Sequence, residues 1–248
     1  MTSIRGRRLR TSCLLLPFLF TLALSGGAQT QQTEILRIYV ARHGQTDWNL
    51  EGRLQGGTDI PLNAAGRQQA VQLGERLKSI SLDAVYSSGL RRSRETAELI
   101  GSSAPLTSLP RLNERRLGKF EGQKLARSTT GGGAASSAAP SDDPLTREYD
   151  RRLIVPNDSL DGGESLDAFA ERIGQATKEL LARHRSGAIL IVGHGMTNQM
   201  VLKSLLDLTN EQANGIQMAN DELYLIEFGG GVAPRLWKLV TAANLRDL

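Results

Sequence analysis

The sequence predicts one α/β domain built on a mostly parallel central sheet, with helices on both faces of the sheet. Two runs rich in Val, Ile and Leu, residues 35–41 and 188–193, have the composition of strands that are buried on both faces. Segments with helical periodicity follow these runs, and alternation of strands and helices is typical of parallel sheets covered by helices. The 248 residues are enough to build such a domain around a sizeable core.

The individual elements follow from local patterns. Asn63 is a predicted N-cap, because the residues after it repeat apolar side chains at helical spacing. Short runs of β-branched and aromatic residues between the helical segments predict the strands, and the last two strands are expected near the edge of the sheet. The predicted strands are 35–41, 83–87, 188–193, 223–228 and 236–240, and the predicted helices are 64–77, 92–100, 165–183 and 198–206.

The first 28 residues have the features of a secretory signal peptide. Four arginines precede a run of about 12 mainly apolar residues, from Cys13 to Leu24, and small residues from Ser25 to Ala28 follow it. The run is shorter than the roughly 20 residues that a helix needs to span a bilayer. We therefore expect export to the periplasm or the medium, with an uncleaved N-terminal anchor as the alternative and no stable membrane span after cleavage.

Removal of residues 1–28 would change the charge of the chain. The full sequence has 30 basic and 26 acidic residues, and the only charged residues of this segment are its four arginines. The remainder then has a formal net charge of zero, which argues against nucleic-acid binding. Cys13 is the one cysteine of the chain. The remainder therefore lacks the thiols needed for a disulfide, a cysteine nucleophile or a zinc–thiolate site.

Residues 29–248 are predicted to form the domain, interrupted by a low-complexity insertion at 128–143. This stretch, STTGGGAASSAAPSDD, lacks the apolar side chains needed to bury a core, and it is predicted to be a flexible loop near the mouth of the site. An interdomain linker is the alternative. The strands on either side complete one sheet more naturally, which favours an insertion within a single domain.

Two histidine–glycine pairs are the strongest chemical signal in the sequence. His43-Gly44 and His194-Gly195 each come just after a buried strand. The carboxyl ends of neighbouring parallel strands form the ligand-binding crevice of open α/β sheets. One such histidine could simply bond to loop backbone, but two matched pairs favour a functional site, and glycine allows close approach to a ligand. His184 has no such context and is predicted to be a solvated residue at a helix end.

Further motifs accompany the two pairs. They are RHGQT at 42–46 with Trp48-Asn49, RLQG at 53–56 with DIPL at 59–62, YSSGLRR at 86–92 with ETA at 95–97, LNE at 112–114 with Gly118 and Glu121-Gly122, GES at 163–165, and GHG at 193–195. In type and order these motifs resemble the histidine phosphatase superfamily, the phosphoglycerate mutase-like proteins, and in particular its phosphatase branch. The resemblance covers nearly the whole chain after residue 28, and it implies the phosphoglycerate mutase-like fold.

The resemblance implies a role for each matching residue. His43 would be the nucleophile that forms a phosphohistidine, and Arg42 and Arg92 would bind phosphate oxygens as forked donors. His194, in its protonated form, would donate to the same phosphoryl group. Glu114 would protonate the leaving oxygen and then deprotonate the attacking water. The expected substrate-binding residues are Gly44, Gln45, Thr46, Asn49, Gln55, Gly56 and Gly195.

Several of these residues also have an ordinary structural explanation. Arg92 could be a solvated residue at a helix start, with Arg91 or Arg94 as the functional arginine, although the spacing of the motif favours Arg92. Glu114 lies in a charged run, where a surface ion pair is the usual expectation. Asn49 could be a turn residue. The resemblance, rather than the local pattern, is what assigns these side chains to the site.

The implied activity is that of a metal-independent phosphomonoester hydrolase that needs no cofactor and acts on a small-molecule phosphoester. A phosphoglycerate mutase-type phosphotransferase is one alternative, because residues 111–115 are close to the mutase version of the acid segment, whereas residues 53–59 favour the phosphatase branch. Export of the protein also argues against a glycolytic substrate, because glycolytic substrates are cytoplasmic. A phosphate-binding protein with little turnover is the other alternative, although a binder has no need of Glu114.

The motifs contain no clustered carboxylates that would suggest a metal site. No motif encodes the natural substrate or the oligomeric state.

Overall fold

The computed structural model describes residues 34–126, 142–229, 232–241 and 244–247. The predicted signal peptide at 1–28 lies outside these residues. So does the predicted insertion at 128–143, apart from its last two residues, Asp142 and Asp143. The predictions for these two segments therefore stay predictions. No helix within the described ranges has both the length and the apolar composition needed to cross a membrane.

Strands and helices alternate through most of the described chain, as predicted. The strands are β1 (Ile35–Arg42), β2 (Ala84–Ser87), β3 (Leu106–Ser108), β4 (Gly187–Gly193), β5 (Leu223–Gly229), β6 (Val232–Thr241) and β7 (Asn244–Asp247). The helices are α1 (Asp47–Leu50), α2 (Ala64–Leu77), α3 (Arg91–Ile100), α4 (Pro144–Leu153), α5 (Leu166–Arg183), α6 (Gly195–Leu206) and α7 (Asn210–Gly215). Short 3-10 turns occur at Pro110–Leu112 and Gly118–Phe120.

The described strands form one sheet in the order β3-β2-β4-β1-β5-β6-β7. The first four strands of that order are parallel, and β5, β6 and β7 continue the sheet antiparallel. The predicted α/β domain with a parallel central sheet is therefore confirmed. The expectation that residues 223–228 lie near the sheet edge is wrong, because β5 pairs with β1 and its first four residues are buried.

The two faces of the sheet are covered by different helices. On one face, Leu36, Ile38 and Val40 of β1 pack in a cluster that includes residues of α5 and α6. On the other face, Tyr39 and Ala41 pack in a cluster with residues of α2 and α3. Successive strand residues point to opposite faces, so β1 contributes to both clusters, as expected for a strand covered by helices on both sides.

The limits of the helices show where local sequence is informative. Helix α2 has the predicted limits, because the Asn63 side chain accepts the Gly66 N–H and caps its first turn. Helix α6 begins three residues before its predicted start, directly after His194. Its first turn is capped by Glu114, which is distant in sequence, and a local pattern cannot reveal such a cap. Helices α1 and α7 were not predicted, because each is short, and α4, which directly follows the low-complexity stretch, was not predicted either.

Candidate active site

The two histidine–glycine pairs lie side by side at the carboxyl ends of β1 and β4. Arg42 is opposite Gly193 in the parallel register of these strands, and the His43 backbone N–H donates to the Gly193 carbonyl at 3.0 Å. The ring centroids of His43 and His194 are 5.1 Å apart. The parallel pairing thus brings together two segments that lie some 150 residues apart in the sequence.

His43 is held as a neutral imidazole with one unprotonated ring nitrogen. Its Nδ1 lies 2.8 Å from the Gly44 carbonyl oxygen, which can only accept, so Nδ1 carries the proton. Its Nε2 lies 3.3 Å from Arg92 Nε, a donor, so Nε2 is unprotonated. Burial, followed by the charges of Arg92 and Arg42, holds the His43 pKa well below its ordinary value. A neutral imidazole of this kind is a competent nucleophile.

Arg92 is the arginine of its segment that reaches the nucleophile. Its side chain is fully buried, whereas Arg91 and Arg94 are exposed, and this agrees with the spacing of the motif. Its two terminal nitrogens donate to the Gly56 and Thr58 carbonyls, both at 2.8 Å. Burial lowers the Arg92 pKa to about 10, so the guanidinium remains charged at neutral pH.

Glu121 holds the loop to which the Arg92 side chain is hydrogen-bonded. One of its carboxylate oxygens accepts the N–H groups of Gly57 and Leu117 at 2.8 and 2.9 Å, and the other accepts the Thr58 hydroxyl. The carbonyls that orient Arg92 belong to the same loop. Glu121 therefore acts on the geometry of Arg92 without touching it.

Glu114 is a buried carboxylate at the N-terminus of α6, not a partner in a surface ion pair. Its Oε1 accepts the N–H groups of Arg115 and Thr197 at 2.9 and 3.1 Å, as well as the Thr197 hydroxyl at 3.1 Å. Its Oε2 accepts only the Met196 N–H, at 3.0 Å, among the contacts within the described residues. Oε2 is therefore the oxygen with room for an acid proton.

Arg42 adds a second buried guanidinium to the site. One of its terminal nitrogens donates to the Met218 carbonyl at 3.0 Å. Burial lowers the Arg42 pKa, while the nearby carboxylate of Glu114 acts in the opposite direction. Two buried guanidiniums and one buried carboxylate leave a surplus of positive charge, which is suited to binding an anion.

His194 is fully buried, and its Nε2 lies 2.7 Å from the Ser88 hydroxyl oxygen. Burial, followed by the charges on Arg92 and nearby groups, holds the His194 pKa well below its ordinary value. The ring is therefore neutral in this structure. The expectation that His194 donates to a bound phosphoryl group in its protonated form stays a prediction, and the charges of the two neighbouring guanidiniums oppose that protonation.

Two of the predicted substrate-binding residues form a capping pair at α1. Thr46 is the N-cap, and its hydroxyl oxygen accepts the Asn49 N–H at 3.1 Å. The Asn49 side-chain oxygen accepts the Thr46 N–H at 3.1 Å and the Thr46 hydroxyl at 3.0 Å. This leaves the NH2 group of Asn49 as the side-chain group that can donate to a ligand. Substrate contact by Thr46 stays a prediction.

The other predicted substrate-binding residues lie on the loops around His43. Gln45 is bonded to helix α2, since its N–H donates to Gln69 at 2.8 Å and its side chain accepts from Asn63 at 3.1 Å. Gln55 is buried beside Gly56, and Gly195 is the first residue of α6. Substrate contact by these residues also stays a prediction.

Two glycines are required by close approaches around the site. A Cβ on Gly44 would overlap the Gly66 carbonyl in the first turn of α2. Gly56 has a φ of +53°, where L side chains are strained, and a Cβ there would overlap the Glu121 carboxylate.

Sequence reasoning missed several residues that shape the site. Ser88 and Glu121 lie within the quoted motifs, but nothing in their own chemistry indicated a role. The Asn220 side chain donates to the His43 carbonyl at 2.6 Å from a loop that has no periodic pattern. Arg172 donates to the Asn113 carbonyl at 3.0 Å and to both carboxylate oxygens of Glu164.

His184 differs from its prediction and lies outside the site. Its Nε2 is 2.7 Å from the Tyr86 hydroxyl, and the ring is half-buried, so it is not a freely solvated residue. Tyr86 is a buried residue of β2, and this contact ties the end of α5 to the sheet.

Within the described ranges, no group of three or more His, Cys, Asp or Glu side chains is arranged to hold a metal ion. The arrangement instead combines a neutral histidine nucleophile, buried guanidiniums and a carboxylate at a helix N-terminus. Such a set can attack a phosphoryl group, neutralise its oxygens and exchange a proton with the leaving oxygen.

The chain is similar to proteins of one known family. Residues 38–240 match the family model of the histidine phosphatase superfamily (branch 1). The chain is 30% identical over 224 residues to the probable phosphoglycerate mutase GpmB of Citrobacter koseri, which covers 86% of this chain and 95% of that protein. Among solved structures, mycobacterial glucosyl-3-phosphoglycerate phosphatase in complex with VO3 has a TM-score of 0.64 and 29% identity, covering 81% and 96% of the two chains.

A second solved structure shows the same fold. It is the alpha-ribazole phosphatase from Shigella flexneri, with a TM-score of 0.66 and 24% identity, and the match covers 86% of this chain and 95% of that one.

Proposed function

Because the chain belongs to the histidine phosphatase superfamily, we propose that it is a metal-independent phosphomonoester hydrolase that acts through a phosphohistidine on His43. The observation that carries this proposal is the state of the His43 ring. Its Nδ1 proton is held by the Gly44 carbonyl, and its unprotonated Nε2 lies 3.3 Å from Arg92 Nε. A lone pair placed beside a phosphate-binding donor is the arrangement that phosphoryl transfer to nitrogen requires.

The first half-reaction transfers the phosphoryl group to the enzyme. His43 Nε2 attacks phosphorus, and a P–N bond forms as the bond to the leaving oxygen breaks. Arg42 and Arg92 stabilise the charge on the equatorial oxygens. Glu114 donates its proton to the leaving oxygen, and Oε2 is the atom suited to this step because its partner oxygen already accepts three hydrogen bonds.

The second half-reaction regenerates the enzyme. Water attacks phosphorus, the P–N bond breaks, and the electron pair returns to His43 Nε2. Glu114 takes the proton of the attacking water, so the carboxyl group returns to its starting state and inorganic phosphate leaves.

A mutase is the second candidate, and the names of the relatives are the observation in its favour. The matched Citrobacter koseri protein is named a probable phosphoglycerate mutase, whereas two matched structures are of phosphatases. The same phosphohistidine serves both activities. The difference is whether water or a second phosphoglycerate oxygen accepts the phosphoryl group.

The proposal is tested by phosphate release from p-nitrophenyl phosphate and a panel of natural phosphoesters by the purified full-length protein, with and without EDTA. We expect turnover that survives EDTA and is abolished in His43→Ala, because no other group replaces the Nε2 nucleophile. His184→Ala is the matched control, since it removes a histidine that lies outside the site. Rapid quenching with labelled substrate is expected to trap an acid-labile phosphoenzyme in the wild type.

Different outcomes separate the alternatives. Interconversion of 2- and 3-phosphoglycerate that is much faster than phosphate release would establish the mutase instead of the hydrolase. A folded protein that binds phosphate but neither releases it nor transfers it would identify a binding protein. Turnover that is unchanged in His43→Ala would contradict the phosphohistidine mechanism itself.

We also propose that the protein is exported, on the basis of the basic, apolar and small-residue segments in residues 1–28. Expression of the full chain followed by fractionation and N-terminal sequencing tests this proposal. A product outside the cytoplasm that begins near residue 29 is expected, and a product retained at the membrane with residue 1 intact would support the uncleaved anchor. A full-length product found only in the cytoplasm would contradict export.

A further inference from the structure

Ser88 is a fully buried serine that contacts the second histidine of the site. Its hydroxyl oxygen lies 2.7 Å from His194 Nε2 and accepts the Leu90 N–H at 3.1 Å. Its backbone N–H donates to the Ser93 hydroxyl, and its carbonyl accepts from Ser108. The serine is therefore held from several sides, and the direction of its hydroxyl is constrained.

The Ser88 hydroxyl has one hydrogen to donate. Within the described residues, His194 Nε2 is the acceptor in hydrogen-bond contact with it, because the Leu90 contact uses an oxygen lone pair. If Ser88 donates to Nε2, that nitrogen must be unprotonated. The ring is neutral in this environment, since burial and the neighbouring guanidiniums lower the His194 pKa. The single ring proton then resides on Nδ1.

His194 Nδ1 is a buried atom with no hydrogen-bond partner among the described residues. A buried N–H without an acceptor destabilises a folded protein, so such groups are rare unless a ligand satisfies them. The ring lies beside His43, whose Nε2 marks the expected position of the phosphoryl group. The missing partner of Nδ1 is thus expected on the side of the ligand.

We propose that Ser88 is a positioning residue that holds His194 as the neutral Nδ1–H tautomer, so that Nδ1 donates to an oxygen of the bound phosphoryl group. The inference rests on the proposed function in one respect, namely that the ligand is a phosphoryl group. Beyond that function, the inference identifies Nδ1 as the His194 nitrogen that donates to the ligand, and Ser88 as the residue that selects it. Ser88 itself does not touch the ligand.

The tautomer can be measured directly in the full-length protein labelled with 15N-histidine. The chain has three histidines, so each ring can be assigned by comparison with His43→Ala and His184→Ala. Protonated and unprotonated ring nitrogens differ widely in 15N chemical shift. At pH 7 we expect His194 in the wild type to have a protonated Nδ1 and an unprotonated Nε2.

Ser88→Ala tests the cause of that tautomer. Loss of the hydroxyl donor is expected to shift His194 toward the Nε2–H form or a mixture, and to weaken binding of inorganic phosphate roughly tenfold, the effect of one hydrogen bond to a charged ligand. Thr177→Val is the matched control. It removes another buried hydroxyl, which donates to the Ile173 carbonyl within α5.

The outcomes distinguish this inference from the proposed function. An Nε2–H tautomer or an imidazolium for wild-type His194 would overturn the inference, even if Ser88→Ala failed to fold. An unchanged tautomer and unchanged phosphate affinity in folded Ser88→Ala would overturn it as well. Absence of phosphoester turnover would instead contradict the hydrolase, while the tautomer of His194 would still be read from the spectrum.

Discussion

At the scale of single residues, His43 determines the pH range in which the proposed reaction can run. The nucleophile must be neutral, and burial together with Arg92 and Arg42 holds its pKa well below 6.5. A lowered pKa means that the ring stays neutral as the pH falls past 6.5. The site thus obtains an active nucleophile at neutral and mildly acidic pH from the same guanidiniums that bind phosphate.

We therefore expect the acid limb of the kcat/KM profile for p-nitrophenyl phosphate to lie below pH 6.5, after correction for ionisation of the substrate. In Arg92→Gln the His43 pKa should rise toward its ordinary value, because one of the charges that lowers it is removed. NMR titration of the His43 ring measures this shift independently of activity. An acid limb at or above pH 6.5 that titrates with His43 would contradict the prediction.

Glu121 provides a second prediction at the residue scale. Glu121→Ala removes the acceptor of the Gly57 and Leu117 N–H groups and of the Thr58 hydroxyl, and with it the support of the loop that orients Arg92. We expect kcat/KM to fall about 10- to 100-fold, since misplacing a phosphate-binding arginine costs about 1.4–3 kcal/mol of transition-state stabilisation.

Glu148→Ala, which removes an acid paired with Lys119 at the surface, is the matched control and should leave kcat/KM unchanged. Glu121→Gln retains an oxygen acceptor and should recover part of the activity. Full activity in folded Glu121→Ala would show that Arg92 keeps its position without this loop support.

At the scale of elements, the site depends on how closely helix α2 approaches the loop after β1. Gly44 and Gly66 face each other across this contact, and a Cβ on Gly66 would overlap the backbone carbonyl of Gln45. The loop that bears His43 and the first turn of α2 therefore fit only without side chains at these positions. The position of the nucleophile is thus coupled to the packing of a helix that contributes no catalytic group.

We expect Gly66→Ala to destabilise the protein by about 1–3 kcal/mol, because the overlap is with backbone and requires the helix or the loop to shift. Activity should fall as His43 moves. Gly174→Ala is the matched control, since nothing lies within 4 Å of a Cβ added at this position in α5. That change should stabilise by about 0.5–1 kcal/mol. Urea unfolding and kcat/KM of both variants provide the measurement.

At the scale of the whole molecule, the fold buries two histidines and two arginines in one positively charged cluster. The core on both sides of the sheet holds these groups away from water, and this burial is the first cause of the lowered pKa values of His43 and His194. The unfolded chain has no such environment. The free energy of unfolding must therefore depend on pH through these two rings.

We expect the free energy of unfolding to fall as the pH decreases below about 6.5, by up to about 1.4 kcal/mol per pH unit for each of the two histidines. The free energy of unfolding falls with decreasing pH because the two histidines bind protons in the unfolded state at pH values where they stay neutral in the folded state. Urea unfolding at pH 7, 6 and 5 should show a steeper loss for the wild type than for His43→Asn/His194→Asn. Equal slopes for the two proteins would contradict the lowered pKa values.

The sequence by itself determined the fold class and the limits of elements with strong periodicity, such as α2. It also determined which residues belong to motifs that resemble those of the family. These features are visible because hydrophobic periodicity, an N-cap at Asn63 and the histidine–glycine pairs are local patterns. The place of β5 beside β1 and the early start of α6 are not local. They depend on strand pairing and on a carboxylate supplied by residue 114.

Only the tertiary structure decided the state of each group in the site. It selected Arg92 over its neighbours, placed Glu114 on a helix N-terminus, and surrounded His194 with groups that lower its pKa. It also revealed Ser88 and Glu121, which act through other residues. The physical reason is that burial, pKa and hydrogen-bond direction depend on groups that are distant in sequence, whereas a motif records only which residues are neighbours along the chain.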